Sequence, residues 1–146
     1  MRIVPLMLFG VCWAQAPFGT WKMNASRSTL SNGIHPKSLI LRINPHPKGE
    51  VFTLDCMESD GRTTSSSTIL YLDSEPRRFS DFGCSGIQSS RRADAWTVEI
   101  VRMCSNGTWM RILQRASARP NELVLEIIEE SADGRHFDSR LTLEKQ

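Results

Sequence analysis

The chain has 146 residues, 40% of them hydrophobic, with 18 Lys+Arg set against 16 Asp+Glu for a formal charge of +2. That length suits one domain with a real core. So even a charge balance gives no reason to expect nucleic acid or an anionic membrane surface as a partner.

Residues 1–16 read as a secretory leader and residues 17–146 as the mature domain. Met1-Arg2 is a short positive start, and Ile3 to Trp13 is apolar but too short to span a bilayer. Ala14-Gln15-Ala16 supplies small residues for cleavage after Ala16, although Pro17 disfavours that cut and cleavage after Ala14 is the alternative. Cys12 does not complete a lipidation box, because Val11 before it is bulky. The expected product is secreted or periplasmic, with no stable membrane span after cleavage. Cys56, Cys84 and Cys104 then remain, an odd count that predicts one bridge and one thiol in an oxidising compartment. With no C-x-x-C pair, a zinc ribbon or thioredoxin-like motif lacks support.

From Phe18 onward, short alternating runs are divided by turn residues, which is the period of strands. The first, Phe18 to Asn24, carries Trp21 and Met23 on one face. Asn24 to Pro36 reads as a loop with room for one helical turn. Ser38 to Asn44 aligns Leu39, Leu41 and Ile43, and the prolines of Asn44-Pro45-His46-Pro47-Lys48-Gly49 predict a turn there. Glu50 to Met57 and Arg62 to Leu72 pair about Asp60-Gly61. In the latter, Thr63 to Thr68 holds no apolar side chain, so it either forms an edge or lines a wet cavity.

Arg77 to Phe82 is a short strand, and Gly86 to Arg91 with Trp96 to Cys104 predicts a hairpin centred near Asp94. Asn106-Gly107 favours a type I′ turn into Thr108 to Ser117, where Met110 and Ile112 point inward and Arg111 and Arg115 outward. Glu122 to Glu130 and Arg135 to Glu144 close the chain about Asp133-Gly134. The segments 58–62 and 130–135 look alike, as two hairpins solving one problem. The fold expected is all-β, an antiparallel up-and-down barrel of about eight to ten strands, with a two-sheet sandwich as the alternative.

Gly19-Thr20-Trp21-Lys22-Met23-Asn24, followed by Ser26-Arg27-Ser28, resembles the opening of a group of exported bacterial lipocalin-like proteins. The similarity runs through Asp60-Gly61-Arg62, Arg92-Ala93-Asp94 and Asp133-Gly134-Arg135 to Leu143-Glu144-Lys145-Gln146. It implies a calycin-type barrel whose function is usually unassigned. It also implies an arginine near the last strand packed over the tryptophan of Gly-x-Trp. Arg140 is the nearest candidate, although its parity opposes Phe137 and Leu141.

Cys84 and Cys104 lie ten residues either side of Asp94, so a regular hairpin would face them for a disulfide. Cys56 then reads as a small buried hydrophobe, with no histidine placed to activate it. His35, His46 and His136 have no metal spacing, and Glu129 and Glu130 point to opposite faces of a strand. Asn24-Ala25-Ser26 and Asn106-Gly107-Thr108 fit the glycosylation pattern, the second being explained as a turn. No catalytic residue, metal or cofactor is indicated.

The leading expectation is a non-catalytic barrel binding a small apolar ligand. Its inward candidates are Trp21, Leu41, Leu54, Leu70, Trp96, Val98, Ile100, Met110, Ile112, Leu125 and Phe137. The alternative is a packed barrel acting as a protein-interaction or envelope-associated module, with no cavity and an exposed apolar patch near Trp109.

Overall fold

The computed structural model describes residues 17–31, 35–81 and 84–146. The leader therefore lies outside the described residues, as do Gly33 and Phe82. Ten strands form one antiparallel sheet: β1 (Gly19–Met23), β2 (Ser38–His46), β3 (Gly49–Met57), β4 (Thr63–Leu70), β5 (Arg77–Asp81), β6 (Cys84–Asp94), β7 (Thr97–Cys104), β8 (Trp109–Ala116), β9 (Glu122–Glu130) and β10 (His136–Lys145). Their order is β4-β3-β2-β1-β10-β9-β8-β7-β6-β5. Each strand pairs with its sequence neighbour, except that β1 also pairs with β10, and β4 and β5 are left as unladdered edges. The sheet curls until those edges lie side by side, so the barrel is nearly closed.

Alternation sorts the strand residues between the two faces. Leu39, Leu41, Ile43, Phe52, Leu70, Val98, Ile100, Ile112, Leu123, Leu125, Leu141 and Leu143 are buried in one cluster with Trp21 and Met23. On the outer face Glu99 sits between Arg91 (2.8 Å) and Arg111 (2.6 Å), and Glu126 accepts from Arg140 at 3.4 Å. Leu113, which stands opposite Glu99 on one side and Glu126 on the other, is buried although it points outward.

Three connections share one turn. In 58–62, 104–108 and 131–135 the fourth residue is glycine at φ +87°, +87° and +86°. Each glycine N–H donates to the carbonyl of the first residue at 3.0 Å. The first residue's N–H reaches the fifth residue's carbonyl at 2.8, 2.8 and 2.9 Å. Asp60, Asn106 and Asp133 each accept the fifth residue's N–H on the side chain. Asn106 keeps a negative φ, so the 104–108 turn is not type I′: only the glycine is left-handed, as in a type I turn followed by a glycine bulge.

Two further expectations are corrected. β2 continues through Pro45 to His46, with Pro45 opposite Glu50 and only Pro47 and Lys48 in the turn. This is tolerated because β1 begins opposite Ile43, so no strand on that side requires the N–H that Pro45 lacks. The β6–β7 hairpin turns at Ala95 and Trp96 after an irregularity between Arg92 and Asp94. Gly86, not Cys84, therefore stands opposite Cys104. The Cys84–Cys104 disulfide forms on the diagonal, with Cα atoms 5.1 Å apart.

Candidate functional site

The barrel has two unequal halves. Around the Pro47–Lys48 and Ala95–Trp96 turns, Trp21, Leu41, Leu70, Val98 and Ile100 fill the interior. At the other end lies a cavity of about 210 Å³. Its walls are Leu39, Phe52, Leu54 and Cys56 on one side and Met110, Ile112, Leu125, Ile127 and Leu141 on the other. Leu30 and Pro36, from the β1–β2 connection, also line it. Its polar groups are Glu58, Asp81, Arg102, Glu129 and Ser139.

Arg102 is the unusual one. Strand parity puts it on the inward face with Val98 and Ile100, and its side chain is only 7% exposed. Its Nε donates to Gln88 Oε1 at 2.7 Å and its Nη1 to Asp81 Oδ2 at 3.1 Å. The Phe79 ring lies 4.8 Å from the guanidinium carbon. Nη2 is buried with no hydrogen-bond partner among the described residues. Burial pulls the Arg102 pKa down, while the Asp81 carboxylate opposes the change. A buried guanidinium with an unsatisfied donor is costly, so the cavity is short of one acceptor.

Four of the inward candidates line this cavity: Leu54, Met110, Ile112 and Leu125. Leu41, Leu70, Val98 and Ile100 are buried in the filled half and do not touch it. Trp21 is buried there too, its indole N–H donating to the Pro17 carbonyl at 2.8 Å. Lys145 Nζ stands 5.9 Å from its ring, in the place where an arginine was sought; Arg140 is on the outer face with Glu126. Phe137 is half-buried and has the Arg135 guanidinium 6.0 Å away. Trp96 must be withdrawn as an interior residue. It occupies the β6–β7 turn, 45% exposed, because the turn consumes the position that strict alternation would have pointed inward.

Sequence alternation also aligned Leu39 with Leu41 and Ile43, and Leu141 with Phe137, without marking them as cavity walls. Arg102 and Gln88 were missed. The available signal was their parity, since Arg102 follows Val98 and Ile100 on the same face.

The remaining groups have local explanations. Cys56 is a free buried thiol whose pKa is raised by burial and by Glu58, 3.9 Å away. His136 is exposed between Asp138 and Glu130. Among the described residues no three His, Cys, Asp or Glu side chains are placed to hold a metal, and no helix is long and apolar enough to cross a membrane. An outward row of Ile87, Met103 and Trp109 runs across β6, β7 and β8, with Ile87 44% and Met103 49% exposed.

No family model matches the chain, and no curated protein matches it in sequence. Solved structures do. One is zebrafish ileal bile acid-binding protein complexed with cholic acid, at 12% identity and a TM-score of 0.56, covering 88% of this chain and 98% of that one. Another is an abundant heat-soluble (SAHS) protein from Ramazzottius varieornatus, at 9% identity and a TM-score of 0.59, covering 92% and 96%. The likeness is one of fold.

Proposed function

We propose that this chain is a non-catalytic carrier that works outside the cytoplasm and binds a small, mainly apolar molecule bearing one anionic group. The observation that carries the reading is the Nη2 of Arg102, which finds no acceptor among the described residues, in a cavity whose walls are mainly apolar. A carboxylate or similar anion supplies the missing acceptor, and such charge-assisted bonds are worth about 1.5–3 kcal/mol. Engineered cavities of roughly 150 Å³ accept benzene, so about 210 Å³ suits a ring or a short chain. The bile acid-binding neighbour, seen with cholic acid, gives a precedent for a carboxylate-bearing amphiphile in this fold. Export is supported by the leader-like start and by a disulfide, which persists in oxidising compartments.

The packed-module alternative required a barrel with no cavity, and its apolar patch near Trp109 is present beside a cavity. The two roles are separable by titration calorimetry with octanoate and octanol. Octanoate should bind about tenfold or more tightly than octanol, and Arg102→Met should erase the difference while leaving a cooperative unfolding transition. Equal binding of acid and alcohol by the unaltered protein would refute the anionic ligand.

A further inference from the structure

The barrel wall is a hydrogen-bonded ladder everywhere except between β4 and β5. Below that seam the β4–β5 connection is tied to β6, where Ser90 Oγ accepts Leu72 N–H at 3.0 Å and Ser90 O accepts Ser74 N–H at 2.8 Å. Along the seam runs an open groove of about 540 Å³. Its polar lining includes Ser67, Thr68, Ser80, Ser90, Tyr71 and Arg78. Arg78 makes no ion pair among the described residues, whereas Arg77 beside it is held by Asp73 at 2.6 Å.

Groove and cavity are divided by very little. Gln88 Nε2 donates to Thr68 Oγ1 at 3.1 Å across the seam, while Gln88 Oε1 holds Arg102. Gln88 and Phe79 line the groove, and Arg102, in contact with both, lines the cavity. The partition is therefore made of side chains. Opening it breaks no strand pairing; it costs the side-chain bonds of Gln88 to Thr68 and Arg102 and the packing of Phe79.

We infer that the seam groove is a headgroup subsite, and that the ligand is an anionic amphiphile with a hydroxylated head beyond its charge, of the lysophospholipid kind. The acyl chain occupies the cavity, the phosphate meets Arg102 Nη2 at the partition, and the polar head lies among the serine and threonine hydroxyls. This accounts for a groove larger than the cavity, which a plain fatty acid leaves unused.

The inference rests on the cavity being the ligand site, and two probes keep the claims apart. Binding of decanoate and of decanoyl lysophosphatidylglycerol is measured calorimetrically on the unaltered protein and on Ser67→Trp and Ser80→Trp, which fill the groove from opposite edges. The lysolipid should bind the unaltered protein at least tenfold more tightly than decanoate. Each tryptophan variant should lose that advantage while holding decanoate unchanged. Decanoate binding with no gain for the lysolipid overturns the subsite and leaves the carrier reading standing. Undiminished lysolipid binding by both tryptophan variants also overturns it, and failure of both probes removes the carrier reading as well.

Discussion

Gly86 stands directly opposite Cys104, and the disulfide to Cys84 reaches past it on the diagonal. A Cβ built on Gly86 would collide with the Met103 carbonyl, so only glycine lets β6 approach β7 this closely beside the bridge. The bridge closes a loop with a sequence separation of 20, for which the chain-entropy relation gives about 3 kcal/mol. Cys84→Ser with Cys104→Ser should lower the unfolding free energy by about that amount in urea titration. Gly86→Ala should also destabilise the oxidised protein, because the obstacle it meets is backbone. A Gly86→Ala protein as stable as the parent would show that the close approach is dispensable.

Glu50 is 1% exposed, within 3.4 Å of Arg92, and its second carboxylate oxygen meets no hydrogen-bond donor at bonding geometry among the described residues. Burial raises its pKa above the ordinary glutamate value, with Arg92 and Gln114 acting the other way. The folded state thus holds this proton at pH values where the unfolded chain has released it. Stability from Glu50 is present below the unfolded pKa and is lost as pH rises through the folded one. Glu50→Gln should flatten that decline and raise neutral-pH stability by an amount on the order of 1 kcal/mol, the scale of an unmet buried acceptor. Unfolding midpoints from acid to neutral pH check it: parallel curves for the two proteins would contradict the raised pKa.

The ten strand segments were legible because alternation and turn residues are local signals, and nearly all the inward hydrophobes follow from parity. Strand order was not legible. That β1 joins β10, leaving β4 and β5 as the seam, depends on contacts far apart in sequence. The Thr63–Thr68 run did narrow the choice to an edge or a wet lining: it is the edge strand β4, and its Ser67 and Thr68 line the seam groove. Trp96 failed because a two-residue turn displaced the register. Arg102 was missed because an arginine between apolar neighbours reads as a solvated outward residue until its face is assigned.

No described tryptophan lines the cavity: Trp21 is in the filled half, Trp96 in a turn, and Trp109 on the outer face. Intrinsic fluorescence should therefore respond little to a ligand there. Trp96→Phe should remove the most water-exposed, red-shifted part of the emission and change stability by less than about 0.5 kcal/mol. Trp21→Ala should cost about 3–5 kcal/mol by leaving a void among Leu41, Leu143 and the other side chains of that half. A large ligand-induced change surviving in Trp96→Phe would place the ligand beside Trp21 instead.

The three glycine-bulge turns make a ranked prediction. Gly61, Gly107 and Gly134 share a left-handed φ, so alanine is strained at each by about 1 kcal/mol. A Cβ on Gly61 or Gly134 meets nothing within 4 Å, whereas one on Gly107 comes within 2.9 Å of the Ala132 Cβ in the neighbouring turn. Gly107→Ala should therefore be the most destabilising of the three in thermal unfolding, and Gly107→Ala with Ala132→Gly should recover the excess. The 131–135 turn adds an acid-sensitive element. Ser131, then Arg135, hold the Asp133 pKa at about 2. Its contribution is present above the ordinary aspartate pKa and is lost as pH falls towards 2. The Asp133 carboxylate is at the surface, so the effect on global stability is small, and the sharper reading is its own titration by NMR. In Arg135→Ala the midpoint should move up towards the ordinary aspartate range, and further in Ser131→Ala. An Asp133 midpoint unmoved by either change would show that the turn does not hold the carboxylate.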